Sequence, residues 1–173
     1  MAASGKEPLV RKTWDGFEVS PDPPYAASVI VYRRGDGQLE YLLLHRAHSL
    51  HDDQEWAWGP PGGARFPGEP IVECAKRELI EETGENLPCT LTELGSEACV
   101  IFMAEWPADA LVTLSEEHDD FRWSPVEEAR ELCLPKLVAE PFLLLEELLD
   151  PERQADQGGA AGVEHARIRR KDR

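Results

Sequence analysis

The spacing of apolar positions changes several times along the chain, and each change predicts a different element. The runs AASVIVYRR (26–34) and LEYLLLHRA (39–47) are rich in β-branched and aliphatic residues and flank the turn sequence RGDGQ, which predicts a β-hairpin. Residues 48–61 contain two tryptophans and a Pro-Pro pair and are predicted to form a loop that lines a site. Further strands are predicted over residues 89–94, 98–106 and 110–115.

The apolar period becomes helical over residues 70–83. Pro70 suits the first helical position, and Gly84 stands where a C′ glycine is expected. The segments PVEEARELC and PFLLLEELL predict two closing helices. The fold class is therefore predicted to be α/β, with a mixed β-sheet flanked by helices. The stripe expected to anchor the first helix on that sheet consists of Val72, Ala75 and Leu79.

The chain length fits one globular domain, since single domains commonly hold about 100–200 residues. Residues 1–24 are polar, end in PDPP and are predicted to be an irregular N-terminal lead-in. Residues 25–150 are predicted to be the globular domain. Residues 151–173 lose all periodicity and gain Gly, Ala and Arg, which predicts a flexible C-terminal tail.

The charge balance narrows the range of partners. A formal net charge of −16 repels polymeric nucleic acid and anionic membranes, so neither is expected to bind. A small anionic substrate is still compatible with this net charge if divalent cations collect in an acidic pocket and make the local charge positive.

The remaining composition predicts a cytoplasmic protein. No apolar run reaches the roughly 18 residues of a membrane span, and the N-terminus shows no apolar signal core. The cysteines form no C-x-x-C pair and are predicted to be reduced core residues: Cys74, Cys89, Cys99 and Cys133.

Three glutamates of the first predicted helix share one face. Glu78, Glu81 and Glu82 stand at i, i+3 and i+4, within a stripe roughly 100° wide. Like charges at this spacing destabilise a helix unless a cation offsets them, and oxygen-rich sites suit Mg²⁺, with Mn²⁺ as the alternative. A solvated acidic helix face is the competing interpretation.

Two features around these glutamates favour a site. The PPGG turn (60–63) lets backbone atoms approach a ligand closely, because glycine has no Cβ. Arg77 lies eight residues after Glu69, about two helical turns, so an ion pair between them would pin the loop onto the helix.

The stretch GGARFPGEPIVECAKRELIEETGE (62–85) resembles the Nudix box of the Nudix hydrolase family, G-x(5)-E-x(7)-R-E-U-x-E-E-x-G-U, where U is a bulky aliphatic residue. Glu85 stands where the last aliphatic residue is usual, which puts packing at the helix end in doubt more than metal binding. The matching positions are Gly63, Glu69, Arg77, Glu78, Leu79, Glu81, Glu82 and Gly84.

This resemblance implies an α/β/α sandwich and a magnesium-dependent hydrolase that cuts a phosphoanhydride bond in a nucleoside diphosphate derivative. Arg77 and Glu69 then orient the loop and the helix. The implied metal ligands are the carboxylates of Glu78, Glu81 and Glu82 and the carbonyl of Gly62. A Nudix-fold module that senses a nucleotide or binds a partner without turnover is the alternative function.

The segment SEEHDDFRW (115–123) adds a further candidate. In several Nudix enzymes a glutamate in the corresponding loop binds metal or serves as the base, and Glu117 resembles it best, with Glu116 as the second choice. His118 is equally compatible with a site role and with an ordinary loop histidine. The FRW triplet favours strand packing over catalysis.

The substrate is less well determined by the sequence. Trp56 and Trp58 flank the glycine turn and are candidates for stacking on a base, or for covering the edge of the core. Arg46 and Arg65 are candidates for a phosphate contact. Comparison with family subgroups favours a small nucleotide, leaving nucleoside triphosphates and dinucleoside polyphosphates open. A homodimer is compatible with the sequence.

Overall fold

A computed structural model describes residues 11–13, 15–35, 37–49 and 54–150. In these residues one mixed sheet runs in the order β3-β2-β1-β6-β5, with β4 also paired to β1 and β7 to β2. β1 and β6 are parallel, and the other pairings are antiparallel. The strands are β1 (Ala26–Gly35), β2 (Gln38–Arg46), β3 (Trp58–Gly59), β4 (Gly62–Ala64), β5 (Thr90–Leu91), β6 (Cys99–Glu105) and β7 (His118–Ser124).

Three helices accompany the sheet in the described part of the chain: α1 (Ile71–Thr83), α2 (Val126–Leu132) and α3 (Lys136–Leu149). α1 begins directly after Pro70 and ends at Gly84, whose φ of 78° is one that glycine adopts without a steric penalty. The hairpin and the three predicted helices are confirmed, with bounds that shift by a few residues.

The strand residues alternate between two apolar layers. Val29 and Val31 face α1, where they cluster with Leu79. Ile30 faces the opposite side and clusters with Phe142 and the rest of the α2–α3 pair. Because helices cover both faces of a mixed sheet, the predicted α/β/α sandwich is confirmed.

Four details of the sequence prediction were wrong. Residues 48–61 hold a short strand, β3, within the predicted loop. Residues 110–115 do not form a strand, because they cross the end of α1, where the amide of Thr113 donates to the carbonyl of Thr83 at 2.9 Å. Pro70 caps α1 rather than starting it. Val72 is 37% exposed, and Cys74 takes its place in the buried stripe.

The remaining predictions meet the structure in part. The cysteines are free, with Cys74 and Cys133 buried and the other two half-buried. The departure at Glu85 is compensated by Leu87, which is buried in the α1-side core. Among the described residues, no helix is long and apolar enough to cross a bilayer. The predicted tail, 151–173, lies outside the described residues, as do residues 1–10 of the lead-in.

Candidate active site

The loop between β4 and α1 is tied to the helix by the predicted ion pair. Arg77 Nε and Nη2 donate to the two carboxylate oxygens of Glu69 at 2.8 and 3.1 Å. Nη2 also donates to the carbonyl of Ala64, and Nη1 donates to Glu78 Oε1 at 2.7 Å. One guanidinium therefore fixes the loop, the strand end and a carboxylate of the site, as a forked donor can.

Of the three candidate metal-binding glutamates on α1, two are buried: Glu78 and Glu82. Glu82 Oε2 accepts a hydrogen bond from the amide of Gly62 at 2.8 Å. The Glu78 carboxylate lies so close to Gly63 that a Cβ built there would come within 2.5 Å of it. The glycine turn is thus required by the close approach of a carboxylate, and not only by its own backbone geometry.

Burial makes these carboxylates poor at holding negative charge on their own. Desolvation raises the pKa of Glu78 to about 7, although Arg77 opposes the shift. Desolvation also raises the pKa of Glu82, and repulsion from Glu78 and Glu117 adds to the shift. A cation placed among these groups would offset both penalties, which is the electrostatic setting of a divalent metal site.

The third box glutamate lies at the solvent side of the same helix. Glu81 is more than half exposed, and its Oε2 accepts a bond from Arg77 Nη1 at 3.1 Å. No three His, Cys, Asp or Glu side chains of the described chain are gathered as a ready ligand cluster. Glu78 is bonded to Arg77, and Glu82 to the amide of Gly62. The oxygen-only set still fits Mg²⁺, which retains several waters and needs few protein ligands.

β7 brings its first residue to the same place. His118 Nε2 lies 4.0 Å from Glu82 Oε1, and the His118 side chain is only 8% exposed. Its Nδ1 is buried without a hydrogen-bond partner. Desolvation lowers the pKa of His118 to about 4, and the positive charge of Arg46 adds to the shift. Glu117 is exposed, but its charge acts on both Glu78 and Glu82. The sequence left His118 undecided, and the structure puts it beside the carboxylates.

A cavity of about 690 Å³ opens next to these groups. Gly62, Gly63, Arg46 and His118 line this cavity together with α3 residues, most of which are apolar. This volume falls in the range of about 300–1,000 Å³ typical of small-molecule sites. Sequence reasoning missed the contribution of α3 to the cavity. The signal that could have found it is the pair of exposed apolar residues Leu137 and Leu144, seven positions apart on one face of that helix.

The four candidate substrate residues are placed in different environments. Arg46 is exposed and lines the cavity. Trp56 is 47% exposed at the cavity rim and has a φ of 68°, unusual for a bulky residue. Trp58 also lines the cavity, but it is 1% exposed and its ring packs against His45 and Arg122, which places it at the core edge.

Arg65 is the clearest correction. Its guanidinium donates to the carbonyls of Pro24, Asp22 and Glu69 and to the Ser20 hydroxyl, over 2.6–3.0 Å. A guanidinium bonded to four protein acceptors has little left to offer a phosphate. The sequence could not show this, because those acceptors come from residues more than forty positions earlier as well as from the loop itself.

Fold and site together point to one class, the pyrophosphohydrolases, which cut phosphoanhydride bonds. A profile of the NUDIX domain matches residues 22–146, so the chain belongs to the Nudix family, and it is a Nudix hydrolase. The asymmetrical bis(5'-nucleosyl)-tetraphosphatase of Mus musculus is 32% identical, across 62% of this chain and 83% of the mouse protein. The protein of the same name from Caenorhabditis elegans is 27% identical over the same shares.

Solved structures show the same fold. A binary complex of the C. elegans Ap4A hydrolase superposes with a TM-score of 0.61 at 24% identity, covering 73% of this chain and 97% of that one. A Nudix hydrolase from M. smegmatis gives a TM-score of 0.61 at 21% identity, covering 82% and 94%.

Proposed function

We propose that this Nudix hydrolase cuts a dinucleoside polyphosphate asymmetrically, with Mg²⁺ held by the box glutamates. The observation that carries the proposal is the pair of buried carboxylates, Glu78 and Glu82, beside a glycine turn that lines a cavity of about 690 Å³. The tetraphosphatases among the relatives support this substrate class over a nucleoside triphosphate.

The proposed metal ligands are Glu78, Glu81 and Glu82, with Glu117 and the carbonyl of Gly62 completing the set; Mn²⁺ is the alternative ion. Bound divalent cations would neutralise phosphate oxygens and lower the pKa of an attacking water. The chain's own part is orientation: the Gly62 amide holds Glu82, and Arg77 holds Glu78.

The proposed substrate contacts lie along the cavity. Trp56 stacks on one base at the rim, and Arg46 contacts the polyphosphate next to His118. The apolar wall of α3, at Leu137 and Leu144, receives the less polar parts of the substrate. A cytoplasmic location belongs to the same proposal and is supported by four free thiols.

Product analysis tests the proposed reaction. We expect a diadenosine tetraphosphate and one water to give one nucleoside triphosphate and one nucleoside monophosphate, with Mg²⁺ required. Nucleoside triphosphates, ADP-ribose and coenzyme A serve as competing substrates in the same panel. Two nucleoside diphosphates as products would contradict asymmetric cleavage, and binding without turnover would support the sensing module instead.

A further inference from the structure

Residues 11–13 and 15–24, here called the N-terminal clasp, fold back on themselves before the sheet begins. Lys12 and Glu18 form an isolated antiparallel bridge. The amide of Val19 donates to the carbonyl of Arg11 at 2.9 Å, and the amide of Thr13 donates to the carbonyl of Phe17 at 2.9 Å. Part of the lead-in that the sequence predicted to be irregular therefore has a defined turn.

The N-terminal clasp is hydrogen-bonded to the loop between β4 and α1. The amide of Ser20 donates to the carbonyl of Arg65 in that loop at 2.7 Å. Its guanidinium donates to the Ser20 hydroxyl and the Asp22 carbonyl, both at 2.7 Å, and to the Pro24 carbonyl at 2.6 Å. Ser20 is 3% exposed, so this junction is shielded from water.

An aromatic contact continues from the clasp to the site. The rings of Phe17 and Phe66 lie 5.5 Å apart, and the guanidinium of Arg77 lies over the Phe66 ring at 4.1 Å. The amide of Phe66 donates to Glu69 Oε2 at 2.9 Å, and Arg77 in turn holds Glu78. Only Phe66 and Arg77 separate the clasp from a carboxylate of the site.

The Nudix box does not specify these contacts. The five positions after Gly63 are open in the pattern, so Arg65 and Phe66 are choices of this chain, and most of the clasp precedes the range 22–146 matched by the family profile. We infer that the N-terminal clasp is a positioning element that, through Arg65 and Phe66, fixes Arg77 and with it the carboxylate of Glu78. This inference rests on the proposed metal-dependent hydrolysis at that site.

The test compares three full-length variants with the wild type. Phe17→Ala removes the ring contact, Phe17→Tyr keeps it, and Leu91→Ala removes a similarly exposed apolar side chain on β5, away from the clasp. Two quantities are measured: the Kd for Mg²⁺, fitted from the rise of Tm with Mg²⁺ concentration, and kcat separately from KM for the dinucleoside tetraphosphate. The first needs no turnover, so it can be read even if the proposed reaction fails.

We expect Phe17→Ala to weaken Mg²⁺ binding and lower kcat by ~10-fold, the lower end for groups that orient metal ligands, while KM changes less. Phe17→Tyr and Leu91→Ala should stay within about twofold of the wild type in both quantities. A Phe17→Ala variant with unchanged Mg²⁺ affinity would overturn the inference. So would a loss that appears only as a lower Tm without metal, since that describes packing and not positioning.

Discussion

At the scale of residues, the three box glutamates have unequal environments despite their equal place in the motif. Glu78 and Glu82 are buried and desolvated, whereas Glu81 faces solvent. The sequence predicted their common stripe from the helical period. It could not show which two are buried, because that depends on how the glycine turn approaches α1 in three dimensions.

Trp56 yields a prediction about substrate binding. Stacking on an aromatic side chain is worth ~1–3 kcal/mol per base, so Trp56→Ala should raise KM for the dinucleoside tetraphosphate by about 10-fold, with kcat little changed. Trp56→Phe should keep most of the affinity. Hydrolysis of inorganic tripolyphosphate, which has no base to stack, is the control. An unchanged KM in Trp56→Ala would show that the Trp56 ring does not bind the substrate.

His118 yields a prediction about the orientation of Glu82. A buried ring 4.0 Å from the carboxylate, with no partner at Nδ1, is costly unless it serves the site. His118→Ala should lower kcat by ~10-fold, and His118→Gln, which keeps a side-chain N–H donor, should recover part of that loss. Equal rates in the two variants would mean that a polar group at position 118 contributes nothing to the orientation of Glu82.

At the scale of elements, the turn and α1 depend on each other. Gly63→Ala would place a Cβ within 2.5–2.6 Å of the Glu78 carboxyl, which Arg77 holds in place. Because displacement of a catalytic group by about 1 Å can cost about 100-fold, kcat/KM should fall by that order. Gly35→Ala is the matched control, since its Cβ meets the Glu40 carboxylate at 2.7 Å on the hairpin of β1 and β2. Similar losses in both variants would contradict the account.

The sequence predicted the helices and strands better than it predicted the contacts between them. The span of α1 and the first hairpin follow from local periodicity and from the Pro and Gly residues at their ends. Residues 110–115 look like a strand locally, but contacts with the end of α1 divert them. Arg65 looks like a phosphate ligand locally, but the distant clasp binds its guanidinium. Both errors arise from contacts between residues far apart in sequence, which no local pattern contains.

At the scale of the whole molecule, stability should fall as the pH rises in the absence of metal. Glu78 and Glu82 have folded-state pKa values above the unfolded ones, so their contribution to stability is full below the unfolded pKa and is lost as the pH rises through each folded-state pKa. For Glu78 that loss is centred at a pH of about 7. The net charge of −16 acts in the same direction. With a chelator present, Tm should therefore decrease between pH 5 and pH 8.

Two comparisons check the origin of this slope. Mg²⁺ should raise Tm more at pH 8 than at pH 5, because it binds the ionised carboxylates. Glu78→Gln should flatten the metal-free slope, because the amide does not ionise. A Tm that rises with pH in the chelated wild type would contradict the burial of these carboxylates.

Metal-dependent hydrolysis by this chain is proposed to depend on its buried box carboxylates. The most direct measurement is kcat/KM for a dinucleoside tetraphosphate with saturating Mg²⁺ in the wild type, Glu82→Gln and Glu85→Gln. Glu85 directly follows Gly84, the C-cap of α1, in the one box position that departs from the pattern, and serves as the matched control. We expect a loss of at least ~10-fold for Glu82→Gln and a rate near that of the wild type for Glu85→Gln. Equal rates in the two variants would contradict this proposal.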